Sequence, residues 1–181
     1  AYLNLKKGLE LDPGNHVILL NFSVALIELG KHEEAETANK RGLSVNPNYY
    51  NNWELLYVNY VLQSSRKKDI DDLIDEIEAF INKNRQIYSI LVHYYKDKDV
   101  KKSNEYLVKL KSYLKATKSS SLEQYQILDV DFSGFMDRAE KAFETKKLPY
   151  AFGNLSTTYY LDAYKDEPRY KALVRKFRAG R

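Results

Sequence analysis

The sequence predicts an all-α protein built as a solenoid of stacked helix pairs, and three observations carry that prediction. Apolar residues recur at a spacing of 34, with Leu19, Trp53 and Ile87 in one column, Phe22, Leu56 and Ile90 in a second, and Leu26, Tyr60 and Tyr94 in a third. Loop columns keep the same register: Gly8 with Gly42, Leu9 with Leu43, Leu11 with Val45, and Pro13 with Pro47. Only 7 Gly and 4 Pro occur in 181 residues, which favours long helices over many short strands. A fixed period of this size marks an array whose units bury their apolar faces against one another rather than in one central core.

Residues 1–11 read as the end of a helix, closed by the turn Asp12-Pro13-Gly14-Asn15. The spacing of Leu19, Phe22, Leu26 and Leu29 predicts a helix over 16–29 with one apolar stripe. Gly30 follows as its C-cap, where a left-handed residue costs least without a Cβ. A partner helix over 32–45 carries Ala35, Ala38 and Gly42, small residues that let helices approach closely, and Asn46-Pro47-Asn48 ends it.

The unit 50–83 keeps its first helix in register but replaces the glycine turn by Ser64-Ser65-Arg66-Lys67-Lys68. Its second helix uses Ile70, Leu73, Ile74, Ile77, Phe80 and Ile81. In the unit 84–117, Leu107, Leu110 and Leu114 pack the second helix. Residues 118–181 are predicted as a divergent helical segment and a closing segment. Within them a helix is expected over 121–130 and another over 132–146, with Phe135, Ala139, Ala142 and Phe143 inward. Loops or one short helix follow over 147–166. A last helix begins at Pro168, capped by Asp166, with Tyr170, Leu173 and Phe177 as its apolar stripe.

The unit His16–Tyr49 resembles the tetratricopeptide repeat (TPR): Leu19 stands at that family's tryptophan position, Phe22 at its leucine, Gly30 in its turn, Ala35 opening the second helix, and Leu43 and Pro47 closing it. Trp53 restores the tryptophan in the next unit. Ser23, where the family usually has glycine, and Asn39, where it usually has an aromatic, are departures. The resemblance implies a right-handed solenoid, with a partial repeat over 1–15 and repeats over 16–49, 50–83 and 84–117. It also implies a concave groove lined by the first helix of each unit. Carried onto this chain, the lining is Val17, Leu20, Val24 and Ile27, then Asn51, Glu54, Val58 and Val61, then Arg85, Tyr88, Val92 and Tyr95.

The expected occupant of that groove is a peptide or helix of a protein partner, recognised without chemistry and without a cofactor. A chaperone-tail carboxylate clamp is not expected, because Leu20, Val24, Glu54 and Val58 stand at clamp positions and only Asn21 matches. The chain's own 168–178 helix is an alternative occupant. The segment 161–173, through Asp166, Pro168, Arg169, Tyr170 and Leu173, resembles the end of TPR arrays in some bacterial signalling proteins with nucleotide cyclase or winged-helix domains upstream. That resemblance implies a regulatory or sensory region as the alternative reading.

Charge is uneven around a net of +4. Residues 69–79 carry six acids and no base, residues 96–118 carry eight lysines, and the tail from Lys165 adds seven basic groups. Solvated helix faces explain this more simply than nucleic acid or another polyanion, which is kept as a lesser reading. With no Cys, disulfides, thiolate metal sites and cysteine nucleophiles are excluded together, and a reducing, cytoplasmic setting is expected. No apolar run approaches the roughly 20 residues of a membrane span, so no membrane insertion is expected.

Little suggests catalysis or a metal. His16, His32 and His93 are scattered, His32 reads as structural, and Asp129 and Asp131 at i, i+2 point to different helix faces. No phosphate loop, zinc-protease motif or nucleophile elbow occurs. The chain opens at Ala1 inside what reads as the second helix of a repeat, so a fragment of a longer protein is expected. The apolar face of that helix, with Leu3, Leu5, Leu9 and Leu11, is expected either to meet an upstream helix or to pair two chains.

Overall fold

The computed structural model describes residues 2–83, 85–117 and 166–179, together with 133, 136, 137, 140, 141 and 144. Within these residues every regular element is helical. The order is α1 (Tyr2–Leu11), α2 (His16–Glu28), α3 (His32–Val45), α4 (Tyr50–Val61), α5 (Lys67–Phe80), a 3₁₀ turn (Arg85–Ile87), α6 (Tyr88–Tyr95), α7 (Val100–Thr117) and α8 (Pro168–Ala179). The expected segments over 121–130 and 147–165, the inward set Phe135, Ala139, Ala142 and Phe143, the pair Asp129 and Asp131, and the side chain of Phe177 lie outside the described residues.

Local signals set the helix ends. Asn15 accepts from the backbone N–H groups of Val17 and Ile18 through Oδ1, capping α2. At the other end Gly30 adopts φ 72°, and the N–H groups of Gly30 and Lys31 bond back to the carbonyls of Ile27 and Leu26. That double bond pattern is the glycine-terminated helix end expected there. Asp99 caps α7 by accepting from the Lys102 N–H at 3.0 Å. Pro168 opens α8 as expected, and the Asp166 carboxylate takes the Lys171 ammonium.

Sequential helices pack against one another, with α2 on α3, α3 on α4, α4 on α5 and α6 on α7. Connections of a few residues make such neighbours helical hairpins. Among the described residues two apolar clusters result. Leu19, Leu26, Ile27, Ala35, Ala38 and Leu55 form the first. The second is larger and gathers Tyr50, Trp53, Leu56, Tyr57, Tyr60, Leu73, Ile74, Ile77, Ile87, Ile90, Leu91, Val92, Leu110 and Leu114. Most of the residues in the 34-residue columns are therefore core, although Phe22 and Tyr94 are only half-buried.

The two ends contrast with the middle. Ten of the twelve residues of α4 are buried, so this helix is enclosed by its neighbours. No residue of α1 is buried, and Leu3 and Leu11 are 75% and 81% exposed, which leaves its outer face uncovered in this chain. At the far end Arg169 grips Glu140 through two hydrogen bonds of 2.8 and 2.7 Å and also reaches Asp137. Leu173 of α8 and Met136 are both buried. No described helix is long and apolar enough to cross a membrane.

Candidate functional site

The twelve residues expected to line a groove fall into three groups. On α2, Val17 is exposed, Leu20 and Val24 are half-buried, and Ile27 is buried in the first cluster. On α4, Asn51 and Val61 are half-buried, whereas Glu54 and Val58 are buried at 4% and 0% exposure. In the third unit Arg85 is exposed, Val92 is buried, and Tyr88 and Tyr95 are half-buried. The apolar residues of α2 that keep some exposure are Val17, Leu20 and Val24, the last two packed against the first cluster. Beside them Asn21 is exposed, its amide spent on the Val17 carbonyl at 3.0 Å.

Tyr88 and Tyr95 meet Tyr106 of α7. Their rings lie 5.7 and 6.0 Å from the Tyr106 ring, and Tyr94 packs edge-on against Tyr95 at 4.7 Å. Glu78 of α5 sits under this group, accepting from the Tyr95 and Tyr106 hydroxyls at 3.0 and 2.9 Å and pairing with Lys102 at 2.8 Å. The Lys102 ammonium lies 4.0 Å from the Tyr95 ring centre, where the ring quadrupole attracts it. Burial pulls Glu78 upward, but bonds from Lys102, Tyr106 and Tyr95 outweigh it and hold the carboxyl below its ordinary range. Burial and the Glu78 charge push the Tyr106 hydroxyl up to about 12.

A second polar cluster joins α3, α4 and α5. Glu36 accepts from the Tyr60 hydroxyl at 2.8 Å and from Arg66 at 2.9 Å, and pairs with Lys40 at 2.7 Å. The Arg66 guanidinium covers the Tyr60 ring at 4.6 Å and also pairs with Asp69. Burial raises Glu36, yet bonds from Lys40, Tyr60 and Arg66 prevail and lower its pKa. Tyr60 is raised by its own burial and by Glu36.

The histidines serve packing. His32 Nδ1 lies 2.8 Å from Asn59 Oδ1, and the Asn59 amide donates to the His32 carbonyl at 3.0 Å, in keeping with the structural role expected for it. His16 meets Asn46 and stacks edge-on against Tyr49. His93 Nδ1 lies 3.0 Å from the Tyr57 hydroxyl, and burial with a smaller push from Lys96 drives its pKa down to about 3. Beside it, the Tyr50 hydroxyl and Ser89 Oγ lie 2.8 Å apart. The side of α6 turned to α4 thus carries Ser89 and His93.

Sequence reasoning missed Glu78, Tyr106, Tyr57 and Ser89 as members of these clusters. The available signal was the density of tyrosine, 16 in 181 residues, since a buried phenol needs a polar partner. Chemically, the shifted groups are held far from neutral titration: carboxylates ionised, phenols protonated, His93 neutral. Among the described residues no three His, Asp or Glu side chains gather at a metal-binding spacing. Compared with known proteins, the chain matches no family model, no curated protein and no solved structure.

Proposed function

We propose that the chain is a right-handed, TPR-type solenoid that binds a protein segment by surface complementarity, with no reaction of its own. The observation that carries this reading is the partly exposed apolar strip of α2, Val17, Leu20 and Val24, beside helices whose polar groups are consumed internally. Such a strip offers apolar anchors on a rigid helix, so little ordering is lost when an amphipathic helix or extended segment docks.

The polyanion reading draws less support. Lys98, Lys102 and Lys109 are held over the rings of Tyr94, Tyr95 and Tyr106 at 3.7, 4.0 and 5.3 Å, which removes part of the basic face from phosphate contact. Reading the chain as the closing region of a longer regulatory protein draws on α8, whose Arg169 and Leu173 are both engaged in the fold.

The test is affinity capture with wild type and a Leu20→Arg/Val24→Arg variant whose thermal melts match. A protein retained by wild type and lost by the variant, and then bound directly by the purified chain, supports the reading. Equal retention by both sinks the α2 strip as the site. Val58→Glu is unsuitable as such a probe, because Val58 is fully buried and the substitution would act on the fold.

A further inference from the structure

The contact between α3 and α4 differs from the hairpins on either side of it in how its buried polar groups are treated. Within the α2–α3 hairpin, Ser23 Oγ donates to the Ala35 carbonyl at 2.9 Å, and within α6–α7, Ser103 Oγ donates to the Val92 carbonyl at 2.9 Å. Between α3 and α4, by contrast, Asn39 and Asn52 are both fully buried, and both atoms of each amide are without a hydrogen-bond partner. They are the residues so placed among those described. The helices close tightly here, since a Cβ on Gly42 would sit 2.8 Å from Asn52 Nδ2.

Polar ties lie around this seam. Glu36 joins Tyr60 and Arg66, and His32 joins Asn59. Both apolar clusters reach across the seam, with Leu55 of α4 in the first and Leu43 of α3 packing on the second.

We propose that the α3–α4 seam is a built-in weak boundary, at which α1–α3 comes away from α4 and opens as one cooperative unit while α4–α7 stays folded. The physical reason is that opening gives Asn39 and Asn52 the hydrogen bonds to water that the closed seam denies them. Parting there therefore costs less than parting an equally large apolar contact, and the Glu36 tie closes the seam again. Local openings below the global unfolding free energy follow such cooperative units.

Native-state hydrogen exchange on the whole 181-residue chain, followed by mass spectrometry over a range of sub-denaturing urea, tests this. In wild type, peptides of α1–α3 are expected to share one opening and to exchange at least tenfold faster than those of α4–α7. Removing the amides in Asn39→Leu/Asn52→Ala should slow that opening tenfold or more. Glu36→Ala should speed it by a similar factor. A single global opening shared by both halves in wild type overturns the proposal, as does a double variant that folds and opens faster. Should the double variant not fold, the wild-type profile and the Glu36→Ala arm decide.

Discussion

The junction of α3, α4 and α5 and the junction of α5, α6 and α7 solve one problem with the same three groups. In each, a tyrosine from the column Leu26, Tyr60, Tyr94 donates to an acid one helix pair back, and a cation lies over its ring. Tyr60 uses Glu36 and Arg66, whereas Tyr94 uses Asp71 and Lys98. The settings differ. Tyr60 is 3% exposed and Glu36 15%, but Asp71 is 57% exposed and Tyr94 only half-buried. A repeat spacing therefore copies the chemistry of a contact without copying its weight, because weight depends on how much water remains around the charges.

Four experiments grade that contrast. Glu36→Ala leaves a buried phenol and a guanidinium without their acceptor, so urea unfolding should show a loss of about 2–3 kcal/mol. A loss below about 0.5 kcal/mol would place the inner junction in the surface class. Next comes acidification. His93 is held neutral at a pKa of about 3, below the ordinary 6.5, so the unfolded chain binds the proton first as pH falls. Stability is fully present above about pH 6.5 and declines below it, by at most about 1.4 kcal/mol per pH unit. Glu36 and Glu78, both lowered from 4.5, add their own losses only at lower pH still. Melting temperatures between pH 6.5 and 4.5 should thus fall in wild type and flatten in His93→Phe; parallel curves would remove His93 from the account.

Glu78→Ala belongs between the extremes, since its carboxylate serves three donors at intermediate exposure, and a cost of about 1 kcal/mol is expected from denaturant midpoints. Asp71→Asn should move the midpoint by a few tenths of a kcal/mol. Were Asp71→Asn to cost as much as Glu36→Ala, burial would not be what separates the two junctions.

Much of the helix plan was legible. The stripe of Leu19, Phe22 and Leu26, the Gly30 cap and the break at Pro47 place α2 and α3 as observed, because those signals act locally. The facing of α6 was not legible. The resemblance implies a groove face shared by Tyr88, Tyr95 and Val58; the contacts of Tyr88 and Tyr95 with Tyr106 and Glu78, and the turn of Ser89 and His93 to α4, had no such signal. Each residue turns a helix by about 100°, so the entry of a helix decides which side chains share a face. Here the entry is a 3₁₀ turn over Arg85–Ile87, where the pattern carries no strong signal. Asn39 and Asn52 escaped for a different reason. Asn39 stands at an aromatic position of the resembled repeat, but only the surrounding packing reveals that both amides are buried.

The chain contains one tryptophan, and its position makes the molecule its own reporter. Trp53 sits in the enclosed α4 at 7% exposure, its indole donating to the Pro47 carbonyl at 2.8 Å and its ring 5.4 Å from Phe80. Fluorescence therefore records what happens at the enclosed α4, on the larger of the two apolar clusters among the described residues. Fraying of α1 or release of α8 would leave the emission unchanged, whereas loss of the middle would shift it to the red. A denaturation curve read by tryptophan alone would consequently look two-state even if the ends came apart first.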